Sequence, residues 1–368
     1  MLKRTMLAVI AVVSVVVLGC DGDETPPPRG SFVYVANSDD STISIFGARP
    51  AGYLELVETI AAGSGPTGFV TDPSGTLLFV ANSDAPGGTW GGVGTVSSYA
   101  IDGTSGRLTG AAGSPYSANT MALNIAVTPD GRFVYATNQF DFEVTVMAVG
   151  TGGVLTETAF SPIPVFEAHA IAMHPSGEFF YVGSEAGDIH ALDLDPATGE
   201  FIPLAASPYT GVGAANWVVI TPDGRYLYTA DANNGAIAQV DAFSISATTG
   251  ELTELAGFPL ALGVNTGIKS LAVTPDGQYL YLARWNDASV GAYAIGVDGS
   301  LTAVPGQPFE SGDLPKSIAI DANSEFAYVA NYGSDSVTAF AIDGATGALT
   351  RLATYPVGAG PKMVLAVR

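Results

Sequence analysis

Apolar and polar positions alternate in short bursts along this chain, and one burst recurs seven times. It reads Phe32-Val-Tyr-Val-Ala-Asn37, Leu77-Leu-Phe-Val-Ala-Asn82, Phe133-Val-Tyr-Ala-Thr-Asn138, Phe179-Phe-Tyr-Val-Gly-Ser184, Tyr226-Leu-Tyr-Thr-Ala-Asp231, Tyr279-Leu-Tyr-Leu-Ala-Arg284 and Phe326-Ala-Tyr-Val-Ala-Asn331. Aromatic and β-branched runs of this length read as strands. From the second repeat onward an apolar strand and a turn precede the burst, as in Ile125-Ala-Val-Thr-Pro-Asp-Gly131, Val218-Val-Ile-Thr-Pro-Asp-Gly224 and Leu271-Ala-Val-Thr-Pro-Asp-Gly277. Proline presets φ there and glycine tolerates positive φ. A third strand follows with partial period-two alternation, for example Thr95-Val-Ser-Ser-Tyr-Ala-Ile101 or Ser336-Val-Thr-Ala-Phe-Ala-Ile342. A turn such as Asp343-Gly-Ala-Thr-Gly347 leads to a fourth strand, Ala348-Leu-Thr-Arg-Leu352. Each repeat thus predicts four antiparallel strands, A to D.

The central aromatics Tyr34, Phe79, Tyr135, Tyr181, Tyr228, Tyr281 and Tyr328 are 45, 56, 46, 47, 53 and 47 residues apart. One four-stranded sheet per repeat at this period predicts an all-β chain, a seven-bladed β-propeller over residues 31–368. The first repeat lacks its strand A. The chain ends in Gly360-Pro-Lys-Met-Val-Leu-Ala-Val-Arg368, which matches the start of a strand A such as Leu314-Pro-Lys-Ser-Ile-Ala-Ile320. The C-terminal strand should therefore complete the first blade and close the ring, covering edges that otherwise invite aggregation.

Composition agrees with many short strands and tight turns: 45 glycines and only 13% charged residues among 368. The formal charge of −22 argues against nucleic-acid binding, which needs clustered cations, and against adsorption to anionic lipid. At the N-terminus Lys3 and Arg4 precede an apolar run from Met6 to Leu18. That run is too short to span a bilayer core of ~30 Å and reads as a secretory signal. Its ending, Val17-Leu18-Gly19-Cys20, resembles a bacterial lipobox. Residues 1–19 are expected to be a lipoprotein signal peptide, Cys20 the lipidated first residue of the mature chain, and residues 20–30, with Pro26-Pro27-Pro28, a flexible tether. The expected location is the cell envelope, periplasmic or at the cell surface, anchored by lipid. Cys20 is the only cysteine, so the fold must rest on its core rather than on a disulfide.

In such a ring the A–B and C–D turns lie on one face, and the D–A and B–C loops on the other. The first set is short and repetitive; the second varies, as in the loop with Trp90 or in Arg284-Trp285-Asn286-Asp287. Variable loops on a rigid scaffold are where binding resides. Aligning the repeats on the A–B turn gives one column at the start of strand A: Thr67, Leu123, His169, Asn216, Lys269, Lys316 and Lys362. After Lys3 the chain has no lysines except these three. Three cations near the central channel of an acidic protein form a focused electropositive spot, suited to a small carboxylate or phosphate. The alternative is that they pair with Asp231, Asp287, Asp313 or Asp335, as surface ion pairs of about 0–1 kcal/mol. Trp217 and Trp285 fall toward the same face and could stack on a ligand.

No metal site is expected. His169, His174 and His190 belong to different levels of one blade, and zinc needs convergent ligands. The Asn37-Ser-Asp-Asp-Ser41 loop is rich in oxygen donors, yet turn chemistry explains it equally well. No cofactor is expected, and the chain should be a monomer.

Tyr34-Val-Ala-Asn37, Tyr135-Ala-Thr-Asn138 and Tyr328-Val-Ala-Asn331 resemble the YVTN repeat, and the whole domain is similar to the seven-bladed lactonase-type propellers. That family includes 6-phosphogluconolactonases and a fungal carboxymuconate cyclase. For the cyclase branch the resemblance implies a His, an Arg and a Glu from adjacent blades facing the channel. The His position is His169, the Arg position is Asn216 and the Glu position is Ala232. Asparagine cannot replace a charged guanidinium and alanine cannot transfer a proton; Glu185 or Asp231 could supply a carboxylate. Two functions follow. The first is a lipid-anchored propeller that binds a small anionic ligand or a cell-envelope protein at the channel face through Asn216, Lys269, Lys316, Lys362 and Trp285. The second is a lactone hydrolase with His169 as general base. The substituted Arg and Glu positions favour the first.

Overall fold

The recurrent aromatic strands are buried along most of their length because each is sandwiched within its own sheet and between neighbouring sheets. Phe32–Asn37, Phe133–Asn138 and Phe179–Ser184 are buried at every position. The computed structural model describes residues 31–83, 92–231, 237–264 and 266–368, and these form seven antiparallel sheets. The innermost strands are Pro66–Thr71, Ala122–Val127, Ala168–Met173, Ala215–Ile220, Ile268–Val273, Pro315–Ile320 and Pro361–Val367. They touch one another in sequence around the channel. Blade 1 has the order Leu54–Ala61, Thr42–Ala48, Phe32–Asn37, Pro361–Val367. The C-terminal strand therefore closes the ring as expected, with Tyr34 opposite Leu365. The signal peptide, Cys20, the tether, Trp90 and Ala232 lie outside the described residues.

One chemical group joins a blade to the next at five of the seven seams. A buried phenol must find a hydrogen-bond partner. Tyr34, Tyr135, Tyr181, Tyr228 and Tyr281 donate their hydroxyls to the carbonyls of Gly106, Gly199, Gly250, Gly299 and Gly347, at 2.7–2.9 Å. Each acceptor sits in the C–D turn of the following blade. These turns require glycine twice over. Gly250, for example, has φ +68, and a Cβ there would stand 2.5 Å from the Phe179 ring.

The outer edge departs from the single fourth strand read from the sequence. In blades 2 to 6 it is split in two short pieces. In blade 3, Leu155–Glu157 and Ile163–Pro164 both pair with Glu143–Val149. A serine hydroxyl spans the break in three blades: Ser114, Ser161 and Ser207 accept from the amides of Ser98, Val146 and Ala191 at 3.0 Å. Only blades 1 and 7, which flank the closure, keep continuous outer strands, Leu54–Ala61 and Leu349–Pro356.

Candidate functional site at the channel mouth

The column read from the sequence has a structural cause. In every blade the pairing of strand A with strand B slips by one residue, and the residue left over is Thr67, Leu123, His169, Asn216, Lys269, Lys316 or Lys362. A β-bulge of this kind leaves one residue out of the ladder and re-aims its side chain. In six blades the residue two places earlier has positive φ: Gly65, Met121, Glu167, Gly267, Leu314 and Gly360. Blade 5 differs, with the Asn216 amide donating to the Ala214 carbonyl at 2.8 Å. All seven bulged residues line one cavity of about 530 Å³, joined by Ser83, Met121, Asn124, Gln139, Phe140, Glu185 and Trp217. The volume is that of a small-molecule site. Threonine hydroxyls tie the bulges of adjacent blades: Thr67 donates to Ala122 O at 3.0 Å and Thr137 to His169 O at 2.9 Å.

Lys269, Lys316 and Lys362 come from consecutive blades 6, 7 and 1, and all are half-buried. Among the described residues none of them has a carboxylate at salt-bridge distance. The pairing alternative fails residue by residue where it can be followed. Asp287 takes Arg284 instead, and Asp335 accepts the Gly360 amide. The side chain of Asp231 lies outside the described atoms. Lys316 stands between the other two. Burial, then the charges of Lys269 and Lys362, push its ammonium down to about 7, with Glu185 opposing. Burial lowers Lys269 and Lys362 as well, opposed by Glu185 and Asp39 respectively. Buried like charges without counterions lose ionisation in this way.

Trp285 is placed differently from expectation. It does not line the cavity; its ring stands 5.8 Å from Lys269 Nζ and 5.6 Å from Lys316 Nζ, and packs on Tyr332 at 5.6 Å. A π-face against two ammonium groups supplies partial negative charge beside them, where no carboxylate of the described residues stands at salt-bridge distance. Trp217 does line the cavity, with its indole N–H held by Leu271 O at 2.9 Å.

Across the cavity His169 keeps 26% of its side chain exposed, and its Nε2 lies 3.8 Å from Glu185 Oε1. Burial, followed by Lys316 and Lys269, lowers its pKa to about 4, although the Asn216 backbone pulls the other way. The ring is therefore neutral at neutral pH. Its Nδ1 and the Asn216 Oδ1 are buried and accept no hydrogen bond from the described residues. Glu185 follows directly on the fourth aromatic burst, the position that Ser83, Gln139, Ala232 and Trp285 occupy in other repeats. The carboxylate missing at Ala232 is thus present one blade earlier, on the blade of His169. Counting one residue past each burst would have found Ser83, Gln139 and Glu185 together.

The other histidines play no part in the cavity. His174 fills an A–B turn, with Nε2 3.0 Å from Gly224 O and Nδ1 2.8 Å from Ser176 Oγ. No cluster of metal-ligating side chains occurs among the described residues. The acidic loop after Asn37 instead supports the closure: Asp39 accepts the Tyr332 hydroxyl at 3.1 Å and Asp40 the Ala359 amide at 2.6 Å.

Fold and cavity together define a seven-bladed propeller with a polar, bulge-lined channel mouth. The chain belongs to the lactonase, 7-bladed β-propeller family, whose model matches residues 27–121, 111–207, 181–265 and 263–366. It is 26% identical over 340 residues to the 6-phosphogluconolactonase of Serratia proteamaculans, covering 90% of this chain and 97% of that one. The 6-phosphogluconolactonase of Pectobacterium carotovorum is 27% identical over 342 residues, covering 90% and 97%. The structure of the Pseudomonas aeruginosa periplasmic gluconolactonase superposes with a TM-score of 0.75 at 23% identity, covering 92% of this chain and 99% of that one.

Proposed function

We propose that this protein hydrolyses a lactone that carries an anionic group, and that the chemistry takes place at the channel mouth. The reading that carries chemistry displaces the purely ligand-binding one because relatives along nearly the whole chain are named as gluconolactone hydrolases. The single observation behind it is the cavity: a neutral His169 beside Glu185 opens on the same space as three lysines that have no salt bridge among the described residues. Lactone hydrolysis adds water across the acyl–oxygen bond and leaves a hydroxy acid. His169 takes the proton of the attacking water, and Glu185 stabilises the imidazolium that forms. The proton then passes to the departing ring oxygen. A lysine ammonium offsets the negative charge that grows on the carbonyl oxygen, and the remaining lysines hold the anionic group. Asn216, in place of a guanidinium, offers an amide for a substrate hydroxyl.

The test is turnover of sugar δ-lactones with and without a phosphate or carboxylate, followed by acid release in a pH-stat. His169→Ala should lower kcat by roughly 10²-fold or more, and the triple Lys→Gln variant at 269, 316 and 362 should lower kcat for every lactone and raise KM for the anionic ones in particular. Unchanged kcat in His169→Ala would refute the assignment. Absent turnover with retained anion binding would return the protein to the ligand-binding reading.

We further propose that the chain is exported and lipid-anchored through Cys20. The charged, apolar and small-residue order of residues 1–20 supports this, as does the periplasmic description of the Pseudomonas relative. Cys20→Ser should release the protein from the membrane fraction; continued co-sedimentation with membranes would exclude the anchor.

A further inference from the structure

The cavity is divided around the ring. Its lysines occupy blades 6, 7 and 1, centred on blade 7. In a seven-fold ring the place opposite blade 7 is the seam between blades 3 and 4. There the apolar lining residues Met121, Leu123 and Phe140 stand beside the polar Asn124 and Gln139. Just outside it Phe142 and Phe166 stack with centroids 5.0 Å apart and planes at 26°. Phe140, Phe142 and Phe166 are 46%, 42% and 54% exposed, and no other described phenylalanine is so exposed. Water-facing aromatic rings gathered at one rim mark a contact for something apolar. Asp141, Glu143 and Glu167 stand among them in the chain, which disfavours an anionic membrane as that contact. Phe140 makes the rim continuous with the cavity.

Resting on the lactonase reading, we infer that the substrate is amphiphilic, with an anionic group on the lysine arc and an aryl or alkyl group on the Phe140–Phe142–Phe166 lip. His169, on blade 4, stands on the lip side of this division. The reacting carbonyl therefore lies nearer the apolar end of the substrate than its charged end. A bare phosphosugar lactone would leave the lip empty.

Binding of ω-phenylalkanoates of increasing chain length, set against acetate, tests this by calorimetry without any turnover. An intermediate length should bind at least about tenfold more tightly than acetate, the order expected for burying a phenyl group. Phe140→Ala/Phe166→Ala should abolish that gain and leave acetate binding unchanged, which also shows that the variant is folded. The triple lysine variant should lose both ligands. Equal affinity for acetate and every phenylalkanoate, or a gain that survives the double Phe→Ala change, overturns the proposal. Turnover is read separately: if the phenylalkanoate results hold and no lactone is cleaved, the lactonase reading fails and the amphiphile site stands.

Discussion

The two faces of the ring use the same seven-fold repetition to opposite ends. On the A–B and C–D turn face the repeated position keeps the same residue type: a tyrosine hydroxyl meets a turn glycine at five seams. On the other face the repeated position keeps the same backbone device, a bulge, and changes the residue to threonine, leucine, histidine, asparagine or lysine. Repetition of a side chain makes a scaffold. Repetition of a backbone irregularity makes a set of sockets that sequence can fill independently.

If the faces divide labour in this way, changes on each should have separable effects. The largest should come from removing residues 361–368. This strips the inner edge from blade 1 and leaves Phe32–Asn37 unpaired, so the cooperative thermal transition should be lost or fall by more than about 10 °C. A truncated chain that melts with the full-length protein would show that ring closure contributes nothing. Next is Gly250→Ala on the scaffold face. Positive φ and the collision with Phe179 should cost about 1–3 kcal/mol in denaturant unfolding, with kcat for the lactone unchanged. A large loss of kcat at unchanged stability would break the division between the faces.

The third effect is in the pH dependence of stability. Lys316 has a folded pKa of about 7 against an ordinary 10.5. Between those values the unfolded chain binds more protons than the folded one, so stability should rise with pH through that window and fall as pH drops through it. His169, at about 4 against 6.5, adds the same sign at lower pH: stability should be lost as pH falls from 6.5 toward 4. Melting curves of Lys316→Met should show a shallower alkaline rise, since Lys269 and Lys362 keep their share, and those of His169→Ala a shallower decline between pH 6.5 and 4. A Lys316→Met curve parallel to wild type above pH 7 would mean that the lysine is not held among like charges.

Much of the scaffold face was legible in the sequence because it is local: Pro-Asp-Gly turns, aromatic strands and their period depend on neighbours along the chain. The lysine column was legible for the same reason, since it sits at a fixed distance from the turn. The bulge that aims it was not, because a bulge exists only relative to the register of a partner strand. The split outer strands were hidden likewise: Ile163–Pro164 is a strand only through its pairing with Val144 and Glu143. The contact of Trp285 with two lysines could not be read, since nothing in its own segment announces side chains from the strands that begin blades 6 and 7. The exposed phenylalanines escaped notice because Phe142 and Phe166 read in sequence like any other apolar residues; only their joint exposure distinguishes them.

The first strand of the described chain starts at the turn face. Ser31 and Arg368 share one hollow there with the Asp321–Asn323 turn of blade 7, on the side away from the bulged residues. Both ends of the ring thus leave from its back. An attachment made through the N-terminal extension therefore joins the ring on the face opposite the mouth. A reporter domain fused at either end should leave the path of an incoming molecule clear.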